Sequence, residues 1–169
     1  MKVLITTTLG PITVQLNPDK APKTVENFLA YVESGYYDGT IFHRVIEDFM
    51  IQGGGMDKEM NTKSTKPSIQ NEANNGLNNQ YGTIAMARTG DPHSASAQFF
   101  INTSDNPFLD FQSETKDGWG YCVFGEVVEG IEVVNNIEEK PTTTRNGQQD
   151  VPEEIIEIEK VTLLEEEDE

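Results

Sequence analysis

Arg44 is the most unusual chemical group of this sequence, because it lies in a run of large apolar residues, FHRVIEDFMIQGGG, at residues 42–55. A guanidinium stays charged and offers five N–H donors in a fixed fork, so it cannot act as a base but can donate to a weak acceptor. The run contains no serine, cysteine or lysine nucleophile. A surface arginine paired with Glu47 or Asp48 is the other interpretation, and this run alone leaves both open.

The sequence lacks the motifs of other common binding sites and catalytic sites. The GGGM segment is neither a dinucleotide fingerprint nor a phosphate loop, so we expect no cofactor. His43 and His93 stand in no zinc-binding spacing, and no nucleophile elbow is present, so we expect neither a metal nor a serine triad. On a regular strand the side chain of His43 would point away from that of Arg44, which favours a structural histidine over a base. Cys122, in the apolar YCVFG segment, is expected to be an inert buried thiol.

The charge balance excludes two classes of partner. Asp and Glu total 29 against 12 Lys and Arg, which gives a formal net charge of −17. Nucleic acids and anionic membranes require a basic surface, so we expect neither as a partner. Attraction of basic clients or divalent cations remains open beside the simpler interpretation, which is solubility or adaptation to a salty interior. The acidic segment at residues 165–169 is expected to be a solvated tail.

Length and cysteine content indicate one intracellular domain. A chain of 169 residues is most simply a single domain, which we place at residues 1–164. One cysteine permits no internal disulfide, and no targeting segment or run of about 20 apolar residues is present. We therefore expect a cytoplasmic protein. We also expect a monomer, because no long apolar edge or heptad repeat suggests an obligate assembly.

The elements that must position Arg44 are mostly strands. Eight β-rich runs are separated by turn signals, and Gly10-Pro11 marks a hairpin between the first two. Residues 22–35 and 129–137 have the apolar spacing of amphipathic helices, while residues 56–80 and 103–118 form long polar loops. Together these features predict a mainly β fold: a closed eight-stranded antiparallel barrel capped by two helices.

Three segments taken together resemble the cyclophilins, a family of peptidyl-prolyl cis/trans isomerases. They are YDGTIFHRVIEDFMIQGGG, IAMARTGDPHSASAQFFINT and GYCVFGEVVEG, which occur in this order. NEANNGL and DPHSASAQFF resemble the short cytoplasmic bacterial type. The resemblance extends from about residue 2 to residue 164. It implies an enzyme that accelerates rotation about Xaa-Pro bonds in unfolded or flexible protein segments.

The resemblance also implies roles for individual residues. Arg44 matches the catalytic arginine, which would donate a hydrogen bond to the prolyl nitrogen, and Gln52 matches the glutamine beside it. The implied substrate-binding residues, including those of the proline pocket, are His43, Phe49, Met50, Gln52, Ala87, Arg88, Gln98, Phe100, Phe108, Leu109 and Tyr121. The backbone at Ala87 and Arg88 would hold the residue before proline.

Three positions depart from the usual family pattern. Arg88 replaces asparagine, Phe108 replaces tryptophan and Tyr121 replaces histidine. Phe108 keeps an apolar wall but lacks the indole N–H donor, so we expect cyclosporin to bind weakly at best.

Two other functions remain alternatives. One is a binding module or chaperone that holds proline-containing segments without essential turnover. The other is a lipocalin-like carrier with an apolar ligand inside the barrel, although the interior of an eight-stranded barrel is more often filled by side chains.

Overall fold

A computed structural model describes residues 1–164, so the predicted acidic tail lies outside the described residues. These described residues form ten strands and two α-helices. The strands are β1 Lys2–Thr7, β2 Gly10–Leu16, β3 Thr40–Ile46, β4 Met50–Gly53, β5 Thr83–Met86, β6 Phe99–Asn102, β7 Val123–Glu129, β8 Thr142–Arg145, β9 Gln148–Pro152 and β10 Glu157–Leu164. The helices are α1 Pro22–Glu33 and α2 Ile131–Glu138.

Eight of the strands close into an antiparallel barrel in the order β1-β10-β3-β4-β6-β5-β7-β2. Side chains alternate across each strand, so every second residue points inward. The inward residues are large and apolar, for example Ile12, Ile51 and Phe124, and they are fully buried in one core cluster. The predicted barrel is confirmed. Its interior is filled by side chains, which removes the basis for the carrier alternative.

Both helices pack their apolar faces into the same core. Phe28 of α1 and Val134 of α2 are completely buried there. Pro22 occupies the first turn of α1, where its missing N–H is no loss. The Glu72 carboxylate reaches from a distant loop and accepts hydrogen bonds from Thr24 N and Thr24 Oγ1, both at 2.7 Å. None of the helices in the described part of the chain is long and apolar enough to cross a membrane.

Two details of the strand prediction were wrong. The first hairpin turns at Thr8 and Leu9, and Gly10 and Pro11 lie inside β2, where Gly10 pairs with Thr7. Strands β8 and β9 form a separate two-stranded sheet that the sequence analysis did not include. Their residues are mostly polar, so the hydrophobic alternation that identifies a strand is missing.

Candidate active site

The candidate site lies on the outer face of the barrel, where four strands run side by side. Cross-strand pairing joins Arg44 of β3 to Gln52 of β4, Gln52 to Phe100 of β6, and Phe100 to Ala85 of β5. These residues therefore form one row across the sheet. Met50, Ala85 and Phe100 belong to a second apolar cluster, separate from the core inside the barrel.

A surface cavity of about 130 Å³ opens over this row. Its lining combines a buried apolar floor with polar groups at the rim. The lining residues are Arg44, Phe49, Met50, Gln52, Ala87, Arg88, Phe100, Leu109 and Tyr121. The cavity thus brings together nine of the twelve residues that the resemblance implied, from strands β3, β4 and β6 and the loops that follow β3, β5 and β6.

A β-bulge in β3 sets the position of Arg44. The register between β3 and β4 shifts between Phe42 and Arg44, which places an extra residue, His43, opposite the partner strand. Bulges commonly re-aim a side chain beside a functional site. The regular alternation assumed for His43 and Arg44 is therefore interrupted. Their environments nevertheless differ, since His43 is buried and Arg44 is exposed.

A chain of two hydrogen bonds holds the Arg44 guanidinium. Arg44 Nη1 donates to Gln52 Oε1 at 3.3 Å, and Gln52 Nε2 donates to Gln98 Oε1 at 3.0 Å. Within residues 1–164 Arg44 forms no ion pair with Glu47 or Asp48. The alternative of a surface ion pair is thus wrong, and the guanidinium keeps free donors beside an apolar cavity.

Arg88 and Tyr121 form the opposite rim. The Arg88 guanidinium lies over the Tyr121 ring, with its central carbon 4.6 Å from the ring centroid. Arg88 Nε donates to the Gly120 carbonyl at 2.9 Å, and Nη1 donates to the Thr89 carbonyl at 2.8 Å. The Tyr121 ring in turn packs edge-on against Phe100 at 5.7 Å. Two of the three departures from the family pattern are therefore in contact with each other.

Three buried asparagines support the cavity from behind, and the sequence analysis did not identify them. Asn79 Nδ2 donates to the carbonyls of Leu109 and Tyr121. Asn106 Nδ2 donates to the Phe49 carbonyl at 2.9 Å, and both asparagines are linked through Asn102. Three lining residues thereby have their backbone fixed by one network. Buried side-chain amides are costly unless paired, but asparagine in a polar loop gives no sign of burial in the sequence.

The remaining three predicted site residues lie outside the cavity lining. Gln98 contacts the site through Gln52. Phe108 is 65% exposed and its ring stacks on that of Phe49 at 5.7 Å. His43 is only 5% exposed, and its Nδ1 has no hydrogen-bond partner. Burial, and then the positive charge of Arg44, lower the pKa of His43 to about 4, so the imidazole is neutral at physiological pH.

The described residues offer neither a reactive thiol nor a cluster of metal ligands. Burial raises the pKa of the Cys122 thiol to about 11, partly offset by the Thr24 hydroxyl, so the thiol stays protonated at neutral pH. Among the residues that the structure describes, no group of three or more His, Cys, Asp or Glu side chains is arranged to hold a metal ion.

A closed barrel with an arginine beside an apolar surface cavity defines the class as a cyclophilin-like isomerase. The family model described as cyclophilin type peptidyl-prolyl cis-trans isomerase matches residues 2–163. The chain belongs to this family.

Individual relatives agree with this assignment. The chain is 59% identical to peptidyl-prolyl cis-trans isomerase cyp18 of Streptomyces antibioticus, over 96% of this chain and 98% of that protein. It is 57% identical to peptidyl-prolyl cis-trans isomerase B of Escherichia coli, over 92% and 95%.

A solved structure is similar throughout. A cyclophilin-type isomerase of Cryptosporidium parvum, crystallised in the presence of the dipeptide Ala-Pro, superposes with a TM-score of 0.80 at 29% identity, covering 98% of this chain and 100% of that one. The predicted family, fold and isomerase activity are thereby confirmed, and proline-containing peptides are the ligands of this family.

Proposed function

We propose that the protein accelerates Xaa-Pro rotation without covalent chemistry, through a hydrogen bond from Arg44 to the prolyl nitrogen. The observation that carries this proposal is a guanidinium held by Gln52 at the edge of an apolar cavity, with no carboxylate paired to it among residues 1–164. Such a donor can bind the lone pair of the prolyl nitrogen, which is available in the twisted transition state but not in the planar ground state.

The reaction itself explains why no nucleophile or base is needed. Resonance in the C–N bond gives a barrier of ~18–20 kcal/mol, and no bond is made or broken during rotation. In the twisted transition state the prolyl nitrogen becomes pyramidal and regains its lone pair. A donor aimed at this nitrogen binds the transition state better than the planar ground state, which is the requirement for catalysis.

The size of the effect requires more than one contact. An acceleration of ~10⁵-fold corresponds to ~7 kcal/mol at ~1.36 kcal/mol per decade. One charge-assisted hydrogen bond contributes about 1.5–3 kcal/mol. We assign the rest of the stabilisation to contacts that hold the peptide in place. The apolar floor holds the proline ring, while Gln52 and the backbone at Ala87 and Arg88 hold the flanking chain.

The proposed substrates are proline-containing peptides and flexible segments of proteins that are folding or folded. The cavity is open to solvent and small, which suits one proline ring on an extended segment. We also propose a monomer in the cytoplasm, in keeping with the buried single cysteine. Phe108 presents an exposed ring without an N–H donor, which supports weak binding of cyclosporin at best.

Exchange NMR on a blocked Ala-Pro peptide, with catalytic amounts of protein, tests the role of Arg44. We expect the native protein to shorten exchange from ~tens of seconds to milliseconds. Arg44→Ala should lose about 10²–10³-fold in rate, the cost of removing one transition-state donor.

The matched control is Arg145→Ala, which removes the same charge at a residue that does not line the cavity and should leave the rate unchanged. Peptide binding is followed by chemical shift changes in the same samples. If the native protein binds the peptide but exchange stays slow, the function is that of a binding module. If Arg44→Ala isomerises at the native rate, the role given to Arg44 is wrong.

A further inference from the structure

The cavity concentrates positive charge in a strongly acidic protein. The chain has three arginines, and two of them, Arg44 and Arg88, line this one cavity. No aspartate or glutamate is among its lining residues. Neither arginine forms an ion pair within the described chain, although the molecule carries a net charge of −17. Two guanidinium groups without an ion-pair partner among residues 1–164 therefore line the same cavity.

Arg88 is held in place by neutral groups alone. Its partners are two backbone carbonyls, those of Gly120 and Thr89, and the face of the Tyr121 ring. These contacts fix the side chain but leave its charge unneutralised, and Nη2 has no acceptor among residues 1–164. A guanidinium that is already ordered loses little conformational entropy when it binds a carboxylate, and its fork matches the two carboxylate oxygens.

We propose that Arg88, stacked on Tyr121, makes the site selective for an acidic residue directly before proline. The inference rests on the proposed function, which places that residue at the Ala87–Arg88 backbone. The side chain of the residue before proline would therefore lie next to Arg88 at the rim of the cavity. A glutamate or aspartate would pair with Arg88, whereas a lysine would meet two like charges.

The overall negative charge does not cancel this local preference. At physiological salt the Debye length is ~8 Å, so carboxylates elsewhere on the surface are largely screened from the peptide. A contact pair is screened much less. We expect an advantage of about two- to fivefold in kcat/KM, the range of a partly exposed charge pair.

The test compares blocked Ala-Glu-Pro-Phe, Ala-Gln-Pro-Phe and Ala-Ala-Pro-Phe peptides by exchange NMR at neutral pH. Glutamine matches glutamate in shape and lacks its charge, so the Glu/Gln ratio of kcat/KM reports the charge alone. We expect a ratio of about two to five for the native protein, near one for Arg88→Met, and an intermediate value for Arg88→Lys. Arg145→Met, which makes the same change in net charge at a distance, should keep the native ratio.

The outcomes separate the two proposals. If no peptide is isomerised faster by the native protein, the proposed function itself fails. If all three are accelerated but the native Glu/Gln ratio is one, the selectivity inference fails while the isomerase stands. The same holds if Arg88→Met keeps the native ratio. The native ratio needs no variant, so the inference can be overturned even if an Arg88 variant does not fold.

Discussion

At the scale of single residues, the neighbouring His43 and Arg44 lie in opposite environments, one buried and one exposed. The bulge at His43 lets one side chain be buried while the next reaches the cavity rim. The buried imidazole has an unpartnered Nδ1 and stands near a permanent positive charge. A protonated His43 would be both poorly solvated and repelled by Arg44, so the folded protein holds it neutral.

This neutrality predicts a pH-dependent loss of stability. The folded pKa of His43, about 4, lies below the usual value of 6.5, so the unfolded chain takes up a proton first as the pH falls. The contribution is fully present above pH 6.5 and is lost between pH 6.5 and pH 4. It amounts to about 3 kcal/mol, at ~1.36 kcal/mol per pKa unit.

Urea unfolding between pH 7 and pH 4.5 checks the prediction. The free energy of unfolding of the native protein should fall more steeply than that of His43→Asn, in which the carboxylates still titrate but the imidazole is gone. An NMR titration gives an independent reading, and a His43 imidazole that titrates near pH 6.5 in the folded protein would contradict the prediction.

At the scale of elements, the glycines after β4 allow Gln98 to approach the site. A Cβ on Gly55 would lie 2.3 Å from Gln98 Cγ, and Gly55 has ordinary backbone angles. The space above Gly55 is therefore occupied by the side chain that orients Gln52, which in turn accepts from Arg44. Gly55 thus leaves room for the side chain that holds Gln52 and, through Gln52, Arg44.

Gly55→Ala should accordingly reduce activity more than stability. The added methyl group meets a flexible side chain, so Gln98 must move and its hydrogen bond to Gln52 is lost. We expect kcat/KM to fall by about ten- to a hundredfold, as small misplacements of a catalytic group can cost that much. Gly90→Ala is the control, since a Cβ there meets nothing within 4 Å. Exchange NMR and urea unfolding measure both effects, and full activity in Gly55→Ala would show that Gln98 does not position Arg44.

The elements also show which features a sequence reveals. The eight barrel strands were predictable because buried β residues carry strong hydrophobic patterns, as in β3 and β6. The β8–β9 sheet and the asparagine network were not, since neither is marked by apolar periodicity. Their places depend on tertiary contacts, such as that of Asn106 with the Phe49 carbonyl. The Arg88–Tyr121 stack likewise joins residues that are far apart in the sequence, and nothing local predicts it.

At the scale of the whole molecule, two electrostatic effects act over different distances. In the proposed mechanism Arg44 and Arg88 act within the cavity on groups next to proline. At low salt, where screening is weak, the net charge of −17 would also act on parts of the client several residues away. A client with an acidic residue before proline and basic residues farther along would satisfy both effects.

Peptides with distant charges test whether this field attracts clients. Ala-Ala-Pro-Phe flanked by lysines four or more residues from proline should have a KM several-fold lower than a Gly/Ser-flanked peptide at ~10 mM salt, where the Debye length is ~30 Å. At 1 M salt the Debye length is ~3 Å and the two KM values should converge. The uncharged peptide is the control for effects of salt on the protein itself. Equal KM values at low salt would mean that the acidic surface has no part in attracting clients, and solubility would then be the better explanation of the composition.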